Sequence, residues 1–467
     1  MAPQTISIVR RTIALVCLMW AGQAHADTID DVVTGEIQRQ NIPGVAVGIF
    51  RQGEVVRMQG YGLANLELQV PVRRETVFQS GSLGKMFTAA AVVALVDDGQ
   101  LALDAPVRRY LPDAPRAWRA IRVRHLLNHT AGLGQPDLDP QREYTEHALL
   151  KLHYRAPVRF KPGQRWEYSN AGYLLLGSIV GKVAGKHYGE VLQERVFGPA
   201  RMATARVISE SDIVPNRAAG YEVQQQGAGL KNQHWNSAAL NATADGSLLL
   251  ALPDYARWDA VVAQRGLFSA ESWREIWRPA PLNNGSSYPY GFGWQLDVAQ
   301  GEYRAIGHGG AWQGFRTDLR RYDSEGVTFV VLANSNHADV ERILQGVAEA
   351  YDPRYRREGA GLLMSDDRPP LTLALRRSLD HLAAGTAKLG EFPDVPARAA
   401  PQWLKDTGST LAEAGICRDL RLMRHRPNGD RIERRYRADC SNHALDVRVL
   451  FDLRGRPVQL WVAREEG

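Results

Sequence analysis

Residues 81–96 read GSLGKMFTAAAVVALV, and this stretch decides much of the fold. After Lys85 it has almost no polar break until Asp97, and a helix that is apolar on all sides belongs in a protein core. Ser82 and Lys85 are three residues apart, so their side chains share one helix face. The stretch therefore predicts a central buried helix that holds a hydroxyl and an amine together at its start.

This pairing has a chemical meaning, because a serine hydroxyl needs a base before it can attack a carbonyl. Burial disfavours a charged amine, so a lysine in the first turn of a core helix can act as that base. Of the eight lysines in the chain, only Lys85 has a serine three positions before it. On its own, Ser-x-x-Lys is also typical of a helix start with a solvated lysine.

The first residues have the pattern of a secretory signal peptide covering 1–26. Arg10 and Arg11 precede an apolar stretch, Thr12–Ala21, that is too short to span a bilayer, and Ala24-His25-Ala26 is a small-x-small cleavage site. A twin-arginine signal and lipidation at Cys17 are alternatives that the flanking residues fit less well. We therefore predict an exported protein, periplasmic or secreted, with no transmembrane segment in its mature chain.

Charge and cysteine content narrow the class of protein. The 467-residue chain has a net charge of +6, and removal of 26 residues with their two arginines leaves 441 residues with a charge of +4. No block of like charges stands out, so we do not expect nucleic-acid binding. Once Cys17 leaves with the signal peptide, Cys417 and Cys440 remain. In an exported protein they can form a disulfide, and two buried thiols are the alternative.

Strand and helix patterns predict a mixed α/β domain over residues 27–352. Gly44–Phe50 and Glu54–Gly60 form a predicted hairpin, and Phe315–Tyr322 and Val327–Ala333 are predicted later strands. Helical patterns lie between them. Because strands occur at both ends of the domain, we expect them to share one antiparallel sheet.

The remaining chain has a different pattern. Residues 353–400 are predicted to be a linker with an amphipathic helix at Leu371–Leu389, and 401–467 to be a small antiparallel β module. Four alternating segments follow one another there, with turns at Pro427–Asp430 and Arg454–Arg456. Together these residues predict a small α+β module.

Two further motifs have side chains suited to substrate chemistry. In Tyr168-Ser169-Asn170, before a second apolar helix, a phenol near a lysine can move protons, and an amide can hold both a lysine and a substrate carbonyl. Gly307-His308-Gly309-Gly310-Ala311 lies at a predicted strand start, where missing side chains let a substrate backbone approach closely. His308 would add a donor and a titratable positive charge.

Ser82-x-x-Lys85, Tyr168-x-Asn170 and His308-Gly309-Gly310 resemble, in order, the three signature elements of the penicillin-recognising serine hydrolases. The resemblance covers Asp27–Asp352. It is closest to the branch of class C β-lactamases, D-alanyl-D-alanine carboxypeptidases, D-aminopeptidases and β-lactamase-like esterases. It implies a β-lactamase-like antiparallel sheet with flanking helices and an all-helical subdomain. The supporting segments are His125–Leu133, Pro162–Tyr173 and Tyr290–Trp294.

The same resemblance implies the roles of the site residues. Ser82 would attack a carbonyl and form an acyl-enzyme, while Lys85 and Tyr168 would manage its proton. Backbone N–H groups of Ser82 and Ala311 would hold the oxyanion, and no metal or other cofactor is expected. The substrate-binding residues would be Asn170, His308, Gly309, Gly310 and Ala311.

The third element departs from the family pattern. Lactamases and carboxypeptidases of this family usually have Lys-Thr/Ser-Gly there, and the lysine pairs with a substrate carboxylate, whereas this chain has His308. We therefore expect hydrolysis of an ester, an amide or a D-amino-acid peptide, including cell-wall fragments, rather than strong β-lactam turnover. A weak β-lactamase and a non-turnover penicillin-binding or cell-wall sensor protein of the same fold are the alternatives.

Two other kinds of site are excluded by single residues. Gly81–Lys85 looks like part of a phosphate loop, but Gln79 and Met86 stand where that loop needs glycine and Ser/Thr. His125 and His129 could share a helix face for zinc, but leucine rather than glutamate follows the first of them. We expect both histidines to be structural.

Overall fold

A computed structural model of the chain describes residues 28–224, 229–299, 304–356, 366–395 and 400–464. The predicted signal peptide, 1–26, lies outside these residues. The described residues divide into two compact units. The first unit takes its residues from Met1–Arg159, Ser169–Pro279 and Pro289–Arg357. The second takes them from Phe160–Tyr168, Ala280–Tyr288 and Glu358–Gly467.

The regular elements are numbered in chain order. The strands are β1 (Gly44–Arg51), β2 (Glu54–Asn65), β3 (Val70–Pro71), β4 (Phe78–Gln79), β5 (Arg206–Val207), β6 (Tyr221–Val223), β7 (Leu230–Asn232), β8 (Leu248–Leu250), β9 (Ala280–Pro281), β10 (Ser287–Tyr288), β11 (Gln295–Ala299), β12 (Ala305–Trp312), β13 (Phe315–Tyr322), β14 (Val327–Ala333), β15 (Cys417–Asn428), β16 (Arg431–Cys440), β17 (Leu445–Asp452) and β18 (Pro457–Arg464). The helices are α1 (28–40), α2 (Lys85–Asp97), α3 (Val123–Leu127), α4 (Glu146–Arg155), α5 (Asn170–Ala184), α6 (Tyr188–Leu192), α7 (Ala238–Asn241), α8 (Leu252–Gln264), α9 (Ala270–Ile276), α10 (Val340–Tyr351), α11 (Pro369–Ala383) and α12 (Ala400–Ala414). Within the described ranges, no helix combines the length and the apolar character that a bilayer crossing requires.

A seven-stranded antiparallel sheet is the centre of the first unit, in the order β11-β12-β13-β14-β1-β2-β3. Strand β1 pairs with β14 so that Val45 lies opposite Ala333 and Arg51 opposite Val327. The predicted sharing of one sheet by the first and last strands is therefore confirmed. Strands β13 and β14 have the bounds that the alternation of residues predicts.

Alternate residues of the central strand enter two different cores. Ala46 and Phe50 of β1 pack on one side in the cluster that includes helices α2 and α5, while Val45, Val47 and Ile49 pack on the other side with α1 and α10. Successive side chains of a strand point to opposite faces, so a strand covered on both faces is apolar throughout. Helix α2 lies inside the first of these cores, as its uniformly apolar sequence predicts.

The second unit is an α+β module. Its four strands form one antiparallel sheet in the order β15-β16-β17-β18, and helices α11 and α12 share its apolar core. Helix α11 agrees with the predicted amphipathic helix, whereas helix α12 occupies the start of the region, 401–467, that was predicted to contain only strands. A disulfide joins Cys417 and Cys440, the first residue of β15 and the last of β16.

Two short segments from the middle of the chain belong to this second unit. Asn428 at the end of β15 holds Trp166 through both backbone groups, because its Oδ1 accepts from the Trp166 N–H (2.9 Å) and its Nδ2 donates to the Trp166 carbonyl (3.0 Å). The Trp166 ring stacks on Tyr288 at 4.1 Å between centroids. Segments 160–168 and 280–288 therefore pack with the module rather than with their sequence neighbours, which a linear division of the chain at residue 352 does not anticipate.

Candidate active site

Ser82 lies in a 3₁₀ turn, Gly81–Gly84, that leads directly into helix α2. Side chains three residues apart eclipse each other in a 3₁₀ turn, which brings Ser82 and Lys85 together. The Lys85 Nζ donates to the Ser82 Oγ at 3.1 Å. Ser82 itself is only partly buried.

Lys85 is fully buried, and oxygen acceptors surround its amine. Besides Ser82, its Nζ donates to the Asn170 Oδ1 (2.8 Å) and to the Asp245 carbonyl oxygen, and it lies 5.4 Å from the centre of the Tyr173 ring. The lysine has no solvent exposure. Burial lowers the pKa of Lys85 to about 8, and the nearby Asp245 charge opposes this shift only in part.

Asn170 is the first residue of α5, and a small network fixes its position. The Ser169 Oγ caps this helix by accepting from the Gly172 N–H (3.3 Å), and the Ser169 N–H donates to the Nδ1 of His129 (3.2 Å). Burial holds the pKa of His129 well below its usual value, so the ring is neutral and keeps an acceptor nitrogen for this bond. His129 is thus structural, as expected, and it supports the turn that presents Asn170.

The third motif lies within strand β12 rather than at its start, and this strand packs against the Ser82 turn. A Cβ on Gly310 would lie 2.1 Å from the Ser80 carbonyl oxygen, and one on Gly81, whose φ is +53°, would lie 2.5 Å from the Ala311 nitrogen. Only glycine permits backbones this close. The Thr317 hydroxyl on the neighbouring strand also donates to the Ser80 carbonyl (2.7 Å).

His308 differs from the sequence-based expectation. It is buried, its Nδ1 donates to the Gly309 carbonyl (2.6 Å), and its Nε2 accepts from the Tyr290 hydroxyl (2.9 Å). Burial and the Lys85 charge lower the pKa of His308 to about 3. The predicted titratable positive charge at this strand is therefore wrong, because the imidazole is neutral at physiological pH.

The structure brings most of the predicted site residues together within the first unit. Lys85 contacts Ser82 and Asn170 directly, and Gly309 and Ala311 are exposed on the strand beside them. Tyr168 is the last residue of a segment that belongs to the second unit, where its ring lies 6.3 Å from that of Trp166. Its catalytic role stays a prediction.

Sequence reasoning did not identify the contacts that support these residues. Tyr290 belongs to a segment that carries the family resemblance, but nothing in the sequence indicated that it would bind His308. Asp245 contributes its carbonyl to Lys85, and a backbone group leaves no signal in a sequence. Among the residues that the structure describes, no cluster of three His, Cys, Asp or Glu side chains is arranged to hold a metal ion.

The comparison with protein families agrees with this fold. A family model described as Beta-lactamase matches residues 29–352. The chain therefore belongs to the beta-lactamase family, in the superfamily of serine β-lactamases and penicillin-binding proteins. The predicted β-lactamase-like fold is confirmed.

Individual relatives include a penicillin-binding protein and a D-aminopeptidase. The chain is 28% identical over 317 residues to penicillin-binding protein 4* of Bacillus subtilis (strain 168), covering 64% of this chain and 69% of that protein. It is 28% identical over 400 residues to a D-aminopeptidase of Gluconobacter oxydans (strain 621H), covering 80% and 70%.

Solved structures show the same fold. The octameric penicillin-binding protein homologue from Pyrococcus abyssi has a TM-score of 0.62 at 20% identity and covers 95% of this chain and 96% of its own. The D-amino acid amidase from Ochrobactrum anthropi SV3, solved with D-phenylalanine, has a TM-score of 0.60 at 25% identity, covering 70% and 98%.

Proposed function

We propose that this protein is a serine hydrolase that works through an acyl-enzyme on Ser82. The observation that carries the proposal is the 3.1 Å contact between the Lys85 Nζ and the Ser82 Oγ, made by a buried amine whose pKa is lowered to about 8. In its neutral form Lys85 accepts the hydroxyl proton while the Ser82 Oγ bonds to the substrate carbonyl carbon.

The oxyanion formed in this step is assigned to the N–H groups of Ser82 and Ala311. The two-residue turn Gln313-Gly314 joins β12 to β13, and Trp312 lies opposite Phe315 beside it. Amides of an antiparallel strand point alternately towards and away from the partner strand. Trp312 and Phe315 form the hydrogen-bonded pair next to the turn, so the N–H of the preceding residue, Ala311, points away from β13. The closeness of the Ala311 nitrogen to Gly81 also supports this assignment.

Collapse of the tetrahedral intermediate breaks the bond to the leaving group, which takes up the proton. We assign the transfer of this proton from Ser82 to the leaving group to Lys85 and Tyr168. Tyr168 is two residues before Asn170 in the chain. A water molecule then adds to the acyl carbon and gives up a proton to the same base. Cleavage of the acyl–Oγ bond returns a proton to Ser82 and releases the acid.

For the substrate we propose an amide, ester or short peptide of a D-amino acid with a free α-amine. His308 is neutral, so the third element offers no cation for a substrate carboxylate. The Asp245 carboxylate, which accepts from the Thr243 hydroxyl (2.5 Å), instead adds a negative charge near Lys85. The similarity to a D-aminopeptidase and to a D-amino acid amidase supports the same class.

The test compares turnover of D- and L-alanine p-nitroanilide with that of nitrocefin. We expect the D-anilide to be hydrolysed faster than both other substrates, and Ser82→Ala to lower the rate by about a thousandfold or more, because the nucleophile is lost. Ser211→Ala changes an exposed serine and is the matched control. A fluorophosphonate should label the wild type and the control, but not Ser82→Ala.

Three results would contradict this proposal. Equal turnover by Ser82→Ala would remove Ser82 as the nucleophile. A label on Ser82 that persists without turnover of any amide or ester would favour the non-turnover sensor. Faster turnover of nitrocefin than of the D-anilide would favour the weak β-lactamase.

We also propose that the protein is exported. Support comes from the signal-peptide pattern of residues 1–26 and from the disulfide between Cys417 and Cys440, a bond typical of oxidising compartments.

A further inference from the structure

The four-stranded sheet of the second unit has two different faces. One face packs on helices α11 and α12 through alternate residues such as Leu422, Tyr436 and Val447. The intervening residues point to the other face, because strand side chains alternate. In three neighbouring cross-strand rows this second face contains six arginines, which we call the arginine face: Arg421, Arg424, Arg426, Arg435, Arg437 and Arg448.

The middle row places like charges directly side by side. Arg424 on β15 lies opposite Arg435 on β16, which lies opposite Arg448 on β17, and Arg448 lies opposite Trp461 on β18. Neighbouring strands are about 4.8 Å apart, so the row extends over roughly 14 Å. Like charges that lie directly opposite each other destabilise a sheet. A row of three arginines is therefore unfavourable for the stability of this sheet by itself, which suggests a role in binding.

Carboxylates balance the arginine face only in part. Its three rows contain two acids: Glu433, which pairs with Arg426 (2.9 Å) and Arg448 (3.0 Å), and Asp446, which pairs with Arg435 (2.8 Å). Asp419 and Asp439 lie opposite each other in the next row, and Asp439 pairs with both Arg421 and Arg437.

The middle of the face is accessible to a large ligand. The side chains of Arg435 and Arg448 are 48% and 36% exposed, and Trp461 is 40% exposed. Arg448 lies over the Trp461 ring at 5.0 Å, so the cationic row ends in a flat aromatic surface. The row that contains Arg426, next to the middle row, is less accessible, because the Arg426 guanidinium lies 4.3 Å from the centre of the Tyr288 ring and donates to the Tyr288 hydroxyl.

We propose that the arginine face binds an acidic polysaccharide whose sugars carry carboxylates. A guanidinium can match a carboxylate in a planar two-pronged contact. Arg435 and Arg448 already pair with carboxylates of their own sheet, Asp446 and Glu433. A row of cations suits a polymer with regularly repeated charges. The exposed Trp461 offers a stacking surface for a sugar ring.

The experiment measures the affinity of the whole mature chain for polygalacturonate, with neutral dextran as a second polymer. Ser82→Ala serves as the background, so that binding is read separately from turnover. We expect saturable binding to polygalacturonate that weakens as salt is added, and none to dextran. Arg435→Gln and Trp461→Ala change exposed side chains and should each raise the Kd about fivefold.

Two further variants sharpen the test. Arg377→Gln removes the same charge from an exposed position on α11, away from this face, and should leave the Kd unchanged. Arg435→Lys keeps the charge but loses the two-pronged geometry, and should fall between wild type and Arg435→Gln. The proposal is overturned if Arg435→Gln and Trp461→Ala bind as wild type, if Arg377→Gln weakens binding equally, or if single-stranded DNA binds more tightly than polygalacturonate.

Discussion

At the scale of single residues, the main feature is a fully buried lysine beside a partly buried serine. Lowering the pKa of Lys85 from 10.5 to about 8 corresponds to roughly 3 kcal/mol in favour of the neutral amine. At pH 7 roughly one tenth of such lysines are then neutral, compared with far less than one in a thousand at the ordinary pKa. Burial by the apolar helix thus supplies a usable base.

The pH dependence of turnover follows from this shift. With p-nitrophenyl butyrate, which has no titrating amine, we expect kcat/KM to rise with pH to a plateau with an apparent pKa near 8. No step between pH 5 and 7 is expected from His308, whose pKa is about 3. A profile that is flat from pH 6 to 9 would disprove the assignment of Lys85 as the base.

The same group also predicts the sign of a stability change. The pKa of Lys85 is lower in the folded protein than in the unfolded chain, so the unfolded chain binds more protons between about pH 8 and 10.5. The contribution of Lys85 to the free energy of unfolding therefore rises with pH through this window. Lys85→Met should abolish the activity and should also remove this pH-dependent contribution to the free energy of unfolding. Urea unfolding of the wild type and of Lys85→Met at pH 7.5 and pH 9.5 measures the second effect.

At the scale of elements, the site depends on how closely strand β12 packs on the Ser82 turn. Gly310 and Gly81 permit this approach, and Thr317 fixes it through the Ser80 carbonyl. The motif glycines therefore have a packing role in addition to leaving room for substrate. Only one of the two glycines has this packing role, because a Cβ added at Gly310 would point towards the Ser82 turn and one added at Gly309 would point away from it.

Two alanine substitutions separate these positions. Gly310→Ala would place a Cβ 2.1 Å from the Ser80 carbonyl oxygen, so the backbones must separate, and we expect activity to be lost and the free energy of unfolding to fall by about 2 kcal/mol. At Gly309 the nearest atom is 3.8 Å from the added Cβ, so stability should change by less than about 0.5 kcal/mol. Equal losses of stability in urea unfolding would contradict this packing role.

Sequence patterns predicted some elements well and missed others for physical reasons. Strands β13 and β14 and helices α2 and α5 are long and strongly patterned, so their positions could be predicted. Helix α12 buries Thr407, Leu411 and Ala414 at helical spacing, but one of these residues is polar and the helix as a whole is only weakly apolar, so the sequence pattern did not predict it. His308 was identified from its motif, whereas its burial and its bond to Tyr290 depend on a segment that lies outside the motif.

At the scale of the whole molecule, the chain forms two units that are not consecutive in sequence. The C-terminal module includes segments 160–168 and 280–288, held by contacts such as those of Asn428 with Trp166. Its first two strands are joined by the Cys417–Cys440 disulfide, which closes a loop across a separation of 23 residues.

A combined prediction addresses export and this disulfide. Protein recovered from the exported fraction should begin at Asp27 and contain no free thiol. Cys417→Ser with Cys440→Ser should lower the free energy of unfolding of the module by about 3 kcal/mol, since the cross-link restricts the unfolded chain. Dithiothreitol should destabilise the wild type and leave the double variant unchanged. Retention of residues 1–26 or two free thiols in exported protein would contradict the prediction.

The sequence by itself determined the family, the presence of an apolar helix beside Ser82 and Lys85, and the order of the three motifs, because these depend on local spacing and periodicity. The structure showed that Ser82 lies in a 3₁₀ turn and that the helix begins at Lys85. Only the tertiary structure decided the state of the groups around the site. The neutrality of His308, the lowered pKa of Lys85 and the carbonyl of Asp245 beside its amine result from burial and from contacts between segments far apart in the chain. Desolvation is a property of the packed molecule, and residue spacing along a chain does not report it.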